Sequence, residues 1–256
     1  MKKNNFYFMA YLTAMFIPFA ICSCSGDDES PLVVTPASVS MHYDDTQQLS
    51  AEGATSWLTN DEFVAKVDSK GLVTARHIGN TQIVVSDGKR TATCEVTVTP
   101  EYSLYDDPIL DWGASKSSIQ SKEKHEKGTS SDSNILLYNY TFGNNVCVMG
   151  YTFENGKLKS VTAMMDNSLY LRTGYYLIER FQPVAATKDY DYVFVDAMET
   201  NKVKTIVYFA LYKSGSKNYT TVIYGDYAAY SSKTRSANDE DVQKQMSEMV
   251  SSLENM

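Results

Sequence analysis

Strand-length runs whose side chains alternate every second residue, parted by short turns, recur along this chain and restrict most of it to antiparallel β architecture. Thr91–Thr99 is the clearest run. Ala92, Cys94, Val96 and Val98 share one face, while Thr91, Thr93, Glu95, Thr97 and Thr99 share the other. One face is therefore buried and the other wet. Ser86-Asp87-Gly88-Lys89 links this run to Thr81–Val85 as a hairpin, and Asp68-Ser69-Lys70-Gly71 turns between Phe63–Val67 and Leu72–Ala75. Short strands with such turns predict a Greek-key sandwich over residues 31–99.

The segment Val64-Ala65-Lys66-Val67-Asp68-Ser69-Lys70-Gly71-Leu72-Val73-Thr74-Ala75, with Asp45-Thr46 before it, Trp57 between and Gly79-Asn80-Thr81 after, resembles the bacterial Ig-like domain of group 2. The resemblance implies a spacer or stalk module, or an adhesive arm. Asp44 departs from the glycine usual at its position, and the loop at Trp57 is short. Trp57 itself reads as core.

Pro100 ends the sandwich and the composition changes: 16 of the 19 tyrosines lie from Tyr102 onward. Ser115 is placed to cap a short helix running to Lys124 with Ile119 as its apolar contact. Three strands are then predicted, Ile135–Phe142, Val146–Phe153 and Leu158–Met165, the last two joined by the type I′ signal Asn155-Gly156. The order repeats. A helix capped by Asn167 or Ser168 runs to about Phe181, and strands Tyr190–Asp196, Lys204–Lys213 and Tyr219–Tyr227 follow. Residues 100–235 thus read as an α+β domain built from a tandem helix-β-β-β repeat, about 112–165 and 167–228. Residues 236–256 read as an amphipathic helix with Val242, Met246, Met249, Val250 and Leu253 on one stripe. This helix docks on the preceding sheet or on a partner chain. The Trp112-Gly113 opening, the Tyr-x-Phe strands and the Asn-Gly hairpin resemble domains that follow group 2 Ig-like modules in Bacteroidota lipoproteins, and the duplication resembles the β-lactamase-inhibitor-protein-like fold. That fold implies helices on one sheet face and an open opposite face that binds protein. No residue here carries over inhibition of a β-lactamase.

The first residues look like an address. Met1-Lys2-Lys3 precedes an apolar run, Phe6–Ile21, broken by Pro18. Sixteen residues reach roughly 24 Å as a helix, short of the ~30 Å hydrocarbon core, so 1–23 reads as a signal peptide. Ile21-Cys22-Ser23-Cys24 resembles the lipobox of bacterial lipoproteins, which implies an acylated Cys24 tied to the bilayer. Ser25-Gly26-Asp27-Asp28-Glu29 resembles the acidic run of surface-directed Bacteroidota lipoproteins; residues 24–30 then form a tether, and the expected location is the outer membrane, exposed at the cell surface.

A formal charge of −8 makes the chain a poor binder of nucleic acid. Enzyme signatures are lacking. His125 lies in a charge run that reads as a wet helix end. Cys147 has no histidine near it in sequence, His42 and His77 are isolated, and no carboxylate spacing fits a metal. Neither cofactor nor metal is expected; Cys94 reads as a buried thiol, and a disulfide between Cys94 and Cys147 is the alternative left open. The tyrosines invite more. Tyr208 and Tyr212, with Tyr219 and Tyr224 on the next strand, form a sheet surface for a partner, either an envelope protein or a surface glycan; the plain alternative is a well-packed core. The expected role is noncatalytic: a protein-binding module on an Ig-like stalk, with glycan binding, a purely structural or assembly role, and a hydrolase as the alternatives.

Overall fold

The computed structural model describes residues 30–185, 190–230 and 240–254. The signal segment, Cys24, most of the acidic tether, the polar linker 231–237 and the cap position Asn238 lie outside the described residues.

Seven strands build the first domain: β1 (Ser38–Met41), β2 (Thr46–Gln48), β3 (Ser56–Thr59), β4 (Ala65–Val67), β5 (Leu72–Ala75), β6 (Gly79–Ser86) and β7 (Thr91–Val98). They form two sheets, β1-β7-β6-β3 and β2-β5-β4, with β1 and β7 parallel and every other pair antiparallel. Cys94, Val96 and Val98 point inward as the alternation predicts, packing with Leu49, Val73, Ile83 and Val85. Gly71 is required where it stands. Its φ is +81°, and a Cβ there would meet the Trp57 ring at 2.9 Å, so the turn closes directly on the indole. Trp57 packs on this core, partly buried.

The second domain opens with α1 (Lys116–Lys122), capped by Ser115, whose Oγ accepts from the Ser118 N–H at 3.2 Å. Four strands follow: β8 (Glu126–Lys127), β9 (Ile135–Phe142), β10 (Asn145–Glu154) and β11 (Lys157–Asp166). Asn155 and Gly156 hold φ of +53° and +74°, the two left-handed positions of a type I′ turn. A 3₁₀ turn, Asn167–Leu169, leads into α2 (Tyr170–Ile178); its cap is Asp166 rather than Asn167 or Ser168, because the Asp166 carboxylate accepts from the Ser168 N–H at 2.8 Å. Then come β12 (Gln182–Ala185), β13 (Tyr192–Val195), β14 (Thr205–Ser214), β15 (Lys217–Asp226), α3 (Tyr227–Tyr230) and α4 (Glu240–Glu254).

All eight strands join one antiparallel sheet in the order β12-β13-β14-β15-β11-β10-β9-β8. Each half is a meander of four strands behind one helix, and the halves meet where β11 pairs with β15. The expected repeat of three strands gains a short fourth at each outer edge. Pro183 in β12 lacks an N–H and the pairing shifts beside it, both of which blunt that edge.

The sheet has no open face over its centre. On one side α1, α2 and the segment 102–112 cover Tyr138, Met149, Tyr151, Val161, Phe209 and Val222. On the other, α4 buries Met246, Met249 and Val250 against Leu137, Val148, Met164 and Ile223. The expected one-sided helical layer is therefore corrected to two, because the apolar stripe of α4 covers the face that would otherwise stay wet.

The two domains touch through a polar joint. The Ile78 N–H donates to the Glu179 carbonyl at 2.7 Å, and His77 Nδ1 lies 3.1 Å from the Ile178 carbonyl, so the β5–β6 loop seats on the last turn of α2. The Glu179 carboxylate, on a residue only 1% exposed, accepts the linker N–H groups of Glu101 and Tyr102 at 2.8 and 3.0 Å. Both domains belong to one compact unit, Leu32–Met256.

Candidate binding surface

The four tyrosines singled out on β14 and β15 do not make a surface. Tyr224 is 1% exposed and points to the α1/α2 side, its hydroxyl 2.8 Å from that of Tyr105. Tyr219 is buried on the opposite side, where its hydroxyl donates to Glu254 of α4 at 2.9 Å. Tyr208 and Tyr212 pack partly buried on that same α4-covered core. The set is split between two covered faces, and Tyr219 and Tyr224 offer no ring to a partner. Burial, and for Tyr219 also donation to Glu254, raises their phenol pKa values.

Besides Leu211 of β14, exposed apolar side chains of this domain lie on α2 and β13. On α2, Leu171 and Tyr175 stand one turn apart and outward, while Thr173, Tyr176 and Leu177 of the same helix face the core. Tyr102 of the linker stacks on Tyr175 with ring centroids 5.0 Å apart. At the start of the helix, Tyr170 stacks on Phe209 at 4.6 Å and donates to the Asp191 carboxylate at 2.8 Å. Tyr192 on β13, half exposed, lies beside the same Phe209, its cross-strand partner, with near-parallel rings 6.0 Å apart. A row runs from Tyr192 through Tyr170 and Leu171 to Tyr175 and Tyr102. Its sequence signal was weak: Tyr170 and Leu171 look like further residues of an amphipathic stripe, and Tyr192 like one more alternating strand residue.

In the chemistry-bearing cluster around His125 the Glu123 carboxylate is closed off, while the His125 side chain is 25% exposed and its Nε2 lies 3.4 Å from the exposed Asp106 carboxylate. Glu123, whose side chain is 2% exposed, follows the end of α1 and collects donors. Tyr140 and Tyr151 hydroxyls donate to its Oε2 at 2.7 and 2.8 Å, and the Lys124 and His125 N–H groups donate to Oε1 at 2.8 and 3.1 Å. His125 Nδ1 lies 2.6 Å from Oε1, and its ring stacks on Tyr140 at 3.5 Å. Burial works to raise the Glu123 pKa, but the bonds from Tyr140, His125 and Tyr151 outweigh it and pull it down to about 2. Glu123 is thus an anchored anion with its acceptor sites occupied, not a proton carrier near neutrality. The reading of this stretch as a wet helix end is corrected: Tyr140 and Tyr151 on the facing strands draw Glu123 and His125 inward. Cys147 is fully buried and burial pushes its thiol pKa well up, away from a nucleophilic thiolate.

Cys94 and Cys147 are unbridged thiols. His77 is 2% exposed at the domain joint, where burial lowers its pKa against the raising effect of hydrogen bonds to Gln182 and Ile178. Among the described residues, no cluster of three or more His, Cys, Asp or Glu side chains is placed to hold a metal ion, and no helix is long and apolar enough to cross a membrane.

Residues 30–98 match the family of bacterial Ig-like domains, group 2, and the sandwich is such a domain. It is followed by an α+β domain with an antiparallel sheet and a C-terminal helix. No curated protein matches the chain. Among solved structures, domains 5–6 of the S-layer protein SbsC align at 14% identity over 77% of this chain and 83% of that one, with a TM-score of 0.24, too low to define a shared fold.

Proposed function

We propose that this chain is a noncatalytic cell-envelope protein, held to the outer membrane by lipid on Cys24 and displayed outward, in which the Ig-like domain carries the α+β domain as a binding module. The observation that carries this reading is the joint at Glu179. A stalk must transmit its orientation to its load, and here the β5–β6 loop, the linker N–H groups and the end of α2 are bonded together rather than left as a flexible connection. The lipobox-like Cys24 and the acidic run after it support the anchor. The two helix-plus-four-strand halves support kinship with the β-lactamase-inhibitor-protein-like fold, although α4 closes the face that such a module would offer. The closed-off Glu123 carboxylate and the buried Cys147 support a binding rather than a catalytic role.

The anchor is tested by expressing the full chain and its Cys24→Ser variant and separating membranes from soluble fractions. The expected outcome is that the wild type sediments with outer membrane, is cleaved by protease added to intact cells, and that Cys24→Ser is released. Equal membrane retention of both proteins overturns the lipid anchor. Resistance to added protease in intact cells, with cleavage after lysis, overturns outward display.

A further inference from the structure

One end of the exposed row differs chemically from the rest. Leu171 and Tyr175 stand with no carboxylate bonded to them among the described residues, whereas Tyr170 donates to the Asp191 carboxylate beside Tyr192. Both tyrosine rings lie close to parallel with the buried Phe209 ring, at 27° and 20°, so both pack against the same support. Tyr192 remains 50% exposed, with part of its ring surface open to solvent. At the edge of this shelf Asp191 is exposed, and its Oδ2 is oriented by the Tyr170 hydroxyl at 2.8 Å.

This combination has a specific chemical meaning. An exposed aromatic ring packed beside a buried one is rigid, so covering it loses little side-chain entropy. A carboxylate held at the rim accepts hydrogen bonds from hydroxyl groups. A pyranose ring presents apolar C–H groups on its face and hydroxyl donors at its edge, and so satisfies both elements at once. A basic peptide side chain would also cover the ring and donate to the carboxylate, so a protein partner is the competing outcome of the test, whereas an acidic sugar would be repelled by Asp191. We propose that Tyr192, Tyr170 and Asp191 form a saccharide-binding platform for a neutral or amino sugar. The inference deepens the binding-module reading above and rests on it.

The test uses the full chain purified in detergent and passed over immobilised α-glucan, β-glucan, mannan, chito-oligosaccharide and polygalacturonate. Retention is expected on at least one of the first four and not on polygalacturonate. For that glycan, Tyr192→Ala is expected to weaken binding about tenfold or more. Asp191→Asn should weaken it in the same direction, Tyr192→Phe should keep it, and Leu171→Ala should leave it unchanged. Thermal unfolding of each variant confirms that the fold is kept. Retention on no glycan, or retention indifferent to Tyr192→Ala, overturns the platform. Retention on polygalacturonate alone overturns the assigned sugar class. Loss with Tyr192→Ala of a protein partner, with no glycan held, reassigns the row to a protein interface. The Cys24→Ser fractionation is independent of all these outcomes, so failure of the platform and failure of the anchored-display reading are told apart.

Discussion

Glu123 shows how a residue that looks like solvated charge in sequence becomes a structural anion. It sits among Lys122, Lys124, Glu126 and Lys127, yet its carboxylate is drawn beneath His125 by two tyrosine hydroxyls. Its folded pKa of about 2 lies below the ordinary carboxylate value near 4.3. The unfolded chain therefore takes up a proton before the folded one does. The stabilisation is full above about pH 4.5 and is lost as pH falls toward about 2. Glu123→Gln should lower stability at pH 7 but narrow its gap from wild type as pH falls to 3, read as the urea midpoint at each pH. A gap that is constant with pH would show that Glu123 is not the titrating anchor. The residue pattern could not announce this, since Tyr140 and Tyr151 reach Glu123 only after β9 and β10 pair.

The strands differ in how clearly the sequence marks them, and the reason is physical. Long strands carry period-two patterns of their own: Ile135–Phe142 matches its predicted bounds, and β10 and β11 extend theirs by one residue at each end. β8 and β12 span two and four residues and lie at the outer positions of the sheet, so their patterns are too short to read. The alternation in β14 and β15 assigns residues to two faces but does not say what covers each. That is set by α4, a helix whose residues come last in the chain. Met249 is fully buried on this contact. Met249→Asp should unseat α4, exposing the surface around Tyr208, Tyr212 and Tyr219, and should raise dye binding and amide exchange along β10 and β11; unchanged exchange would mean that α4 is not what protects that face. Helix α2 offers the opposite change. A Cβ on Gly174 would meet only Phe209, at an ordinary 3.7 Å, so Gly174→Ala should stabilise the protein by roughly 0.5–1 kcal/mol. A rise in melting temperature of about 1–4 °C is the readout, and a fall would show that the α2–sheet packing has no room for a methyl group.

At the scale of the whole molecule the question is whether two domains behave as one. Their sequences give no hint of coupling, because Pro100 and the change of composition look like a boundary and His77 looks like an isolated histidine. In the fold that boundary is bonded across. The Ile78 N–H donates to the Glu179 carbonyl at 2.7 Å and His77 lies against the Ile178 carbonyl and Gln182 at 3.1 and 3.3 Å, while on the α+β side the Glu179 carboxylate holds the linker through the N–H groups of Glu101 and Tyr102. Removing the carboxylate leaves two backbone donors without their acceptor, while Arg180 keeps the Tyr176 carbonyl at 3.1 Å, a loss of about 2 kcal/mol. That energy is concentrated at the joint, so Glu179→Ala should alter cooperativity as well as stability. Scanning calorimetry of the wild type is expected to show one transition whose calorimetric and van't Hoff enthalpies agree. The variant should unfold in two steps, one for the Ig-like sandwich and one for the α+β domain. A wild type that already unfolds in two steps would mean that the joint is too weak to couple the domains. A variant that keeps one transition would place the coupling in contacts other than Glu179.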